Sequence, residues 1–94
     1  MLNHSTETLE EVKQEEKIKP SHGIILLNDD VNTFDHVIES LVDVCKHDVL
    51  QAEQCAFIVH YNGKCIIKNG SRKSLAPINE ALIERGLDSR IIEL

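Results

Sequence analysis

Aromatic side chains are scarce in this 94-residue sequence: no tryptophan, one tyrosine and two phenylalanines, 3% in all. Its core must therefore be aliphatic. Two prolines and four glycines are far too few for a low-complexity chain, and 41% hydrophobic with 28% charged residues is ordinary for a soluble globular domain. No apolar run is long enough to span a bilayer. The first residues carry Glu7, Glu10 and Glu11 instead of an apolar run, so no secretory leader is expected. A reducing, cytoplasmic home follows as the default. Close Cys-x-x-Cys pairs are also missing, so nothing supports a metal site built from Cys45, Cys55, His60 and Cys65. Three cysteines cannot all pair internally, and their apolar neighbours mark them as buried free thiols. Positive charge is in deficit, ten basic residues against sixteen acidic, a net charge of −6. That balance argues against non-specific nucleic-acid binding and against an anionic membrane surface. It tilts toward cations, amines or basic protein surfaces as partners.

The length allows one domain with a small core of modest stability. Large internal voids are excluded on that ground, and a ligand site should be a shallow surface pocket. Residues 1–21 read as an extension rich in Glu and Lys, with only Leu9, Val12 and Ile18 apolar in its middle and end. A short helix there has little to bury. A solubilising tail and a tether for a partner remain equally open. The domain proper covers residues 22–94.

Gly23 to Leu27 is a β-type run, too uniformly apolar for an edge strand exposed on one face. Asn28, Asp29 and Asp30 end it as poor strand residues. Asn32 or Thr33 can cap a helix whose apolar stripe is Phe34, Val37, Ile38, Leu41, Val42 and Cys45. A break at Lys46-His47 precedes a second helix, which Asp48 and Gln51 open as a capping box. Ala52, Cys55, Ala56 and Val59 form its inner stripe, and Asn62-Gly63 closes it. Lys64 to Lys68 reads as a second strand, with Asn69-Gly70 as a turn. Pro77 is tolerated only in a first helical turn, which favours Ser74 over Ser71 as the cap of a third helix. Arg85-Gly86 closes that helix, and Arg90 to Leu94 is the last strand. The order is strand, helix, helix, strand, helix, strand. It predicts an α/β (α+β) two-layer sandwich with helices on one face of a small sheet.

Two places concentrate polar chemistry. One is the corner Asn28-Asp29-Asp30, with Asn32 nearby; capping and turn formation explain one or two of these residues. The other is His60, a polar imidazole at the edge of the block Phe57-Ile58-Val59-His60-Tyr61. A satisfied structural histidine is the ordinary explanation for it. An enzyme would use His60 as general base with Asp29 or Asp30 as orienter, yet no nucleophile elbow and no phosphate loop accompany them. A binding module for a small cationic group fits better. An ammonium offers three donors, and Asn28, an aspartate and a neutral His60 offer three acceptors.

These residues resemble the ClpS family, adaptors that deliver N-degron substrates to a Clp AAA+ protease. The likeness is carried by Leu26-Leu27-Asn28-Asp29-Asp30 with Thr33-Phe34-Asp35-His36-Val37-Ile38, by Ala52-Glu53-Gln54, and by Val59-His60-Tyr61-Asn62-Gly63-Lys64. It runs from about Gly23 to the C-terminus. The fold it implies is the small sandwich also seen in the C-terminal domain of the ribosomal stalk protein L7/L12.

The resemblance implies an adaptor without enzymatic activity or cofactor. It would bind proteins beginning with Leu, Phe, Tyr or Trp. Asn28, Asp30 and His60 match the positions that hold the substrate's α-amino group, with Asp29 a structural neighbour. Asn32, Phe34, Val37, Ile38, Ala56, Val59 and Leu87 match the hydrophobic pocket. Phe34 stands where many members have a gating methionine, and Ala56 where a larger methionine is common. Protonating His60 would repel the amine, so acid should weaken binding. The basic turn of Lys68, Arg72 and Lys73 is the implied docking patch for the N-terminal domain of a Clp ATPase, ClpC-like or ClpA-like; an acidic residue is common there in the family, which tilts toward the ClpC-like type. The other reading that remains is an interaction domain that docks to a partner without reading free N-termini.

Overall fold

A computed structural model of the protein describes residues 19–94, so most of the N-terminal extension lies outside the described residues. Six elements follow one another: β1 (His22–Leu27), α1 (Phe34–Cys45), α2 (Val49–Asn62), β2 (Lys64–Gly70), α3 (Arg72–Glu84) and β3 (Asp88–Glu93). This is the order read from the sequence. The three strands form one sheet in the order β2-β1-β3, every pairing antiparallel. The uniformly apolar strand is thus the central one.

Alternation along β1 sends Ile24 and Leu26 into the core, where both are buried. They meet Leu41 and Cys45 from α1, Ala52 and Val59 from α2, Leu75 and Leu82 from α3, and Ile67 from β2. This core contains no aromatic ring, as the composition demanded. Alanines at 52 and 56 let α2 approach closely. The β1–β2 register shifts between Ile24 and Ile25, an irregularity on β2 that no sequence signal announced.

The joints are built by local chemistry. Thr33 caps α1, its hydroxyl accepting from the His36 amide at 3.2 Å. Lys46 ends α1 in the left-handed region at φ 61°. The buried His47 then anchors the α1–α2 joint to β2, with Nε2 2.7 Å from the Ile67 carbonyl oxygen. The Asp48 carboxylate accepts from the Gln51 amide at 2.7 Å and caps α2. Gly63 closes α2 at φ 89°, a conformation glycine adopts without steric cost.

Four sequence expectations need correction. Asn69-Gly70 is not a turn, because both residues still pair with β1, opposite Gly23 and His22. The chain passes straight from β2 into a helix, so no hairpin is needed. The cap of α3 is Ser71, not Ser74. The Ser71 hydroxyl accepts from the Ser74 amide and the Ser74 hydroxyl accepts from the Ser71 amide, each at 3.1 Å, and this reciprocal pair outweighs the proline. Pro77 consequently sits in the second turn. The last strand begins at Asp88, since Leu26 and Leu27 pair with Ser89 and Asp88. Of the three free thiols only Cys45 is fully buried; Cys55 and Cys65 lie at its edge, half-buried.

Candidate functional site

The C-terminal end of β1 and the C-terminal end of α2 meet directly. The Asn28 amide donates to the Gly63 carbonyl at 2.9 Å. Beside this junction lies an open cavity of about 330 Å³. Leu26, Val37, Ala56, Val59 and Leu87 give it an apolar interior, with the Phe34 ring at one side. Asn28, Asp29, Asp30, Asn32 and His60 stand on its polar side, and neither lysine nor arginine is among its lining residues.

The polar residues divide into two sets. Asp29 and Asn32 are occupied in holding the β1–α1 loop. The Asp29 carboxylate accepts from the amides of Val31 at 2.9 Å and Asn32 at 2.7 Å, and from Asn32 Nδ2 at 2.8 Å. Asn32 Nδ2 also donates to the Gly86 carbonyl at 2.8 Å, tying the loop to the α3–β3 turn. Burial pushes the Asp29 carboxyl up. The bonds from Asn32 and Val31, with the charge of His36, outweigh that and hold it below the usual carboxylate value.

Asn28 and Asp30 take no part in that loop network. Both are exposed while Asp29 is half-buried. Among the described residues, no hydrogen bond engages the Asn28 side-chain carboxamide, the Asp30 carboxylate or the His60 imidazole. Three polar groups are therefore left facing solvent at the mouth of an apolar hole. His60 is held by packing: its ring centroid lies 5.0 Å from that of Phe34 and 4.9 Å from that of Tyr61.

The expected pocket residues gather here with one exception. Ile38 lies outside the cavity, in a separate groove. It follows Val37 by about 100° of helical turn, so it faces the N-terminal half of α2 instead. Leu26, Leu27 and Thr33 line the cavity and were not singled out from the sequence. Their signal was present, since they flank the polar corner on both sides. The basic turn also splits. Lys68 Nζ donates to the Cys45 carbonyl at 3.2 Å, closing the C-terminus of α1, whereas Arg72 and Lys73 stand exposed on the first turn of α3. Cations at that end oppose the helix dipole, so the pair does not stabilise the helix.

A family model described as "ATP-dependent Clp protease adaptor protein ClpS" matches residues 17–86. The chain belongs to the ClpS family. A ClpS adapter protein of Campylobacter jejuni is 41% identical over 61 residues, 65% of this chain and 62% of that protein. The chain thus spans 62% of the length of the Campylobacter relatives it matches. A ClpS adapter of Thermosynechococcus vestitus is 32% identical over 75 residues, covering 79% of this chain and 80% of the relative. Both are described as adapter proteins of an ATP-dependent Clp protease. Among solved structures, Agrobacterium tumefaciens ClpS2 bound to L-phenylalaninamide shares the fold, with a TM-score of 0.73 at 20% identity over 81% of this chain and 99% of that one.

Proposed function

We propose that the chain is an adaptor that captures proteins by a free N-terminal Leu, Phe, Tyr or Trp and hands them to a Clp AAA+ protease. The observation that carries this reading is the junction of an apolar hole with three uncommitted polar groups, Asn28, Asp30 and His60. An α-ammonium presents three donors to those acceptors. A lysine ammonium offers the same charge, so charge alone does not define a terminus. Geometry does: only a residue carrying amine and side chain on one Cα fills the cradle and the hole together. Burying a Leu or Phe side chain contributes about 1.5–3 kcal/mol, and each charge-assisted hydrogen bond a similar amount before ordering costs. A β-branched Val or Ile widens where hole meets cradle and should fit poorly. The phenylalaninamide held by the Agrobacterium relative, a free amine beside an aromatic side chain, has the chemistry this cavity suits.

Delivery requires a second surface. Arg72 and Lys73 offer an exposed cationic patch to an acidic face of a Clp ATPase N-terminal domain, in our reading a ClpC-like one. Lys68 contributes less, since its ammonium is already bonded. Residues 1–21 are the proposed tether for handoff, in a reducing cytoplasm. Deleting the chain through Lys17 should spare peptide binding and impair degradation.

The deciding experiment is fluorescence anisotropy with Leu-first and Phe-first peptides, free or N-acetylated. Free peptides should bind and acetylated ones should not. Equal binding of both forms would leave an interaction domain that ignores N-termini.

A further inference from the structure

Phenylalanine and tyrosine normally bring large buried area to a core. Here every such ring lies on the surface, in one place. Phe34 is 39% exposed, Phe57 56% and Tyr61 71%. Phe57 lies 5.7 Å from Phe34 and 5.2 Å from Tyr61, ring centre to ring centre. Beyond Phe34 this shelf opens into a groove of about 350 Å³ between α1 and α2. Its walls are Phe34, Ile38, Leu50 and Phe57, with Glu53 the one charged side chain and Gln54 beside it. Leu50 is 65% exposed. An apolar surface of this kind marks an interaction site.

We propose that this groove is a second substrate subsite, taking an apolar side chain at the third or fourth position of the captured chain and excluding an acidic one. The proposal rests on the reading of the cavity as a receptor for N-termini. Phe34 lines both hollows, so the groove adjoins the cavity across this one ring. Length decides which residue arrives. From His60 back to Phe57 and Glu53 is roughly 5–10 Å along α2, at about 1.5 Å per residue. An extended peptide advances about 3.3 Å per residue, so a chain anchored at His60 reaches the groove with its third or fourth residue. Charge decides what is refused. Glu53 sits in the wall with no cation among the lining residues, so a carboxylate arriving there meets like charge in an apolar setting.

The test uses the full chain and peptides Phe-Ala-X-X followed by a neutral tail labelled at its C-terminus. With Leu at both X positions the affinity should be about fivefold tighter than with Ala, and with Asp about fivefold weaker. Leu50→Ser, at an exposed position, should erase the Leu gain. Glu53→Lys should remove the Asp penalty. Equal affinities across the series would overturn the proposal, as would differences that persist in both variants. Aspartate moved to the sixth position should carry little penalty; an equal one would mean that net charge alone is sensed, and would overturn the exclusion. Free Phe-Ala-Ala-Ala against its acetylated form separates the two readings. If only the free form binds and the X series is flat, the groove fails alone. If both forms bind equally, or neither binds, the N-terminus reading fails and the groove with it.

Discussion

Neighbouring polar residues here do opposite jobs, and substitution should separate them. The Asn28 side chain has no hydrogen bond among the described residues, so Asn28→Ala should leave the thermal midpoint unchanged. Affinity for a Leu-first peptide should fall about tenfold or more, because a half-buried ammonium loses an acceptor. Anisotropy and a melting curve on the same sample check both halves. Asp29 behaves in the reverse sense. It holds Val31 and Asn32, so Asp29→Asn should cost stability before it costs recognition. Its folded pKa is depressed below 3.8, so its contribution is fully present above that value and lost as pH falls through the lower folded one. Urea unfolding should show a gap between wild type and Asp29→Asn at pH 7 that narrows below about pH 3.8. A constant gap would mean that the carboxylate is not what holds the loop. The run Asn28-Asp29-Asp30 announced a polar corner because three poor strand formers follow a buried strand. Which carboxylate is consumed by the turn emerged only with the positions of the Val31 and Asn32 amides.

At the scale of elements, the site depends on how α2 ends. Gly63 has φ 89° with nothing within 4 Å of where a Cβ would stand, so Gly63→Ala meets backbone strain and no clash. A loss of about 1–2 kcal/mol is expected. Because the Gly63 carbonyl accepts from Asn28, peptide affinity should fall as well. Denaturant titration and peptide binding on one preparation test this, and unchanged affinity would uncouple the helix end from the cradle. Helix ends with paired local signals were legible from the residues: Asp48 with Gln51, and Asn62-Gly63. The start of α3 was not, because two signals conflicted. The proline rule placed the cap at Ser74, whereas a reciprocal pair of serine bonds placed it at Ser71. Such a pair depends on both serine hydroxyls finding the partner amide, which spacing permits but does not dictate.

Over the whole molecule, composition foretold the aliphatic core, and the apolar run of β1 foretold its central place. Where Phe57 and Tyr61 went was not foretold, and the pocket position of Phe34 came from the family resemblance alone. Phe34 falls in the apolar stripe of α1, and helical periodicity does not distinguish a core ring from one on the rim. The thiols follow the packing in the same way. Burial and the adjacent Cys65 push the Cys55 thiol up to about 12, and burial raises Cys45 against the pull of Lys68. Native protein at pH 8 should therefore react with iodoacetamide at Cys55 and Cys45 far more slowly than the urea-unfolded chain, read by peptide mass mapping. Equal rates would contradict the packing around α2. The single bond between the Asn28 amide and the Gly63 carbonyl has one more use. That proton is shielded only while the two distant stretches of backbone are in register. Its deuterium-exchange rate is thus a built-in gauge of how often the receptor falls apart, readable in the resting protein with no peptide added.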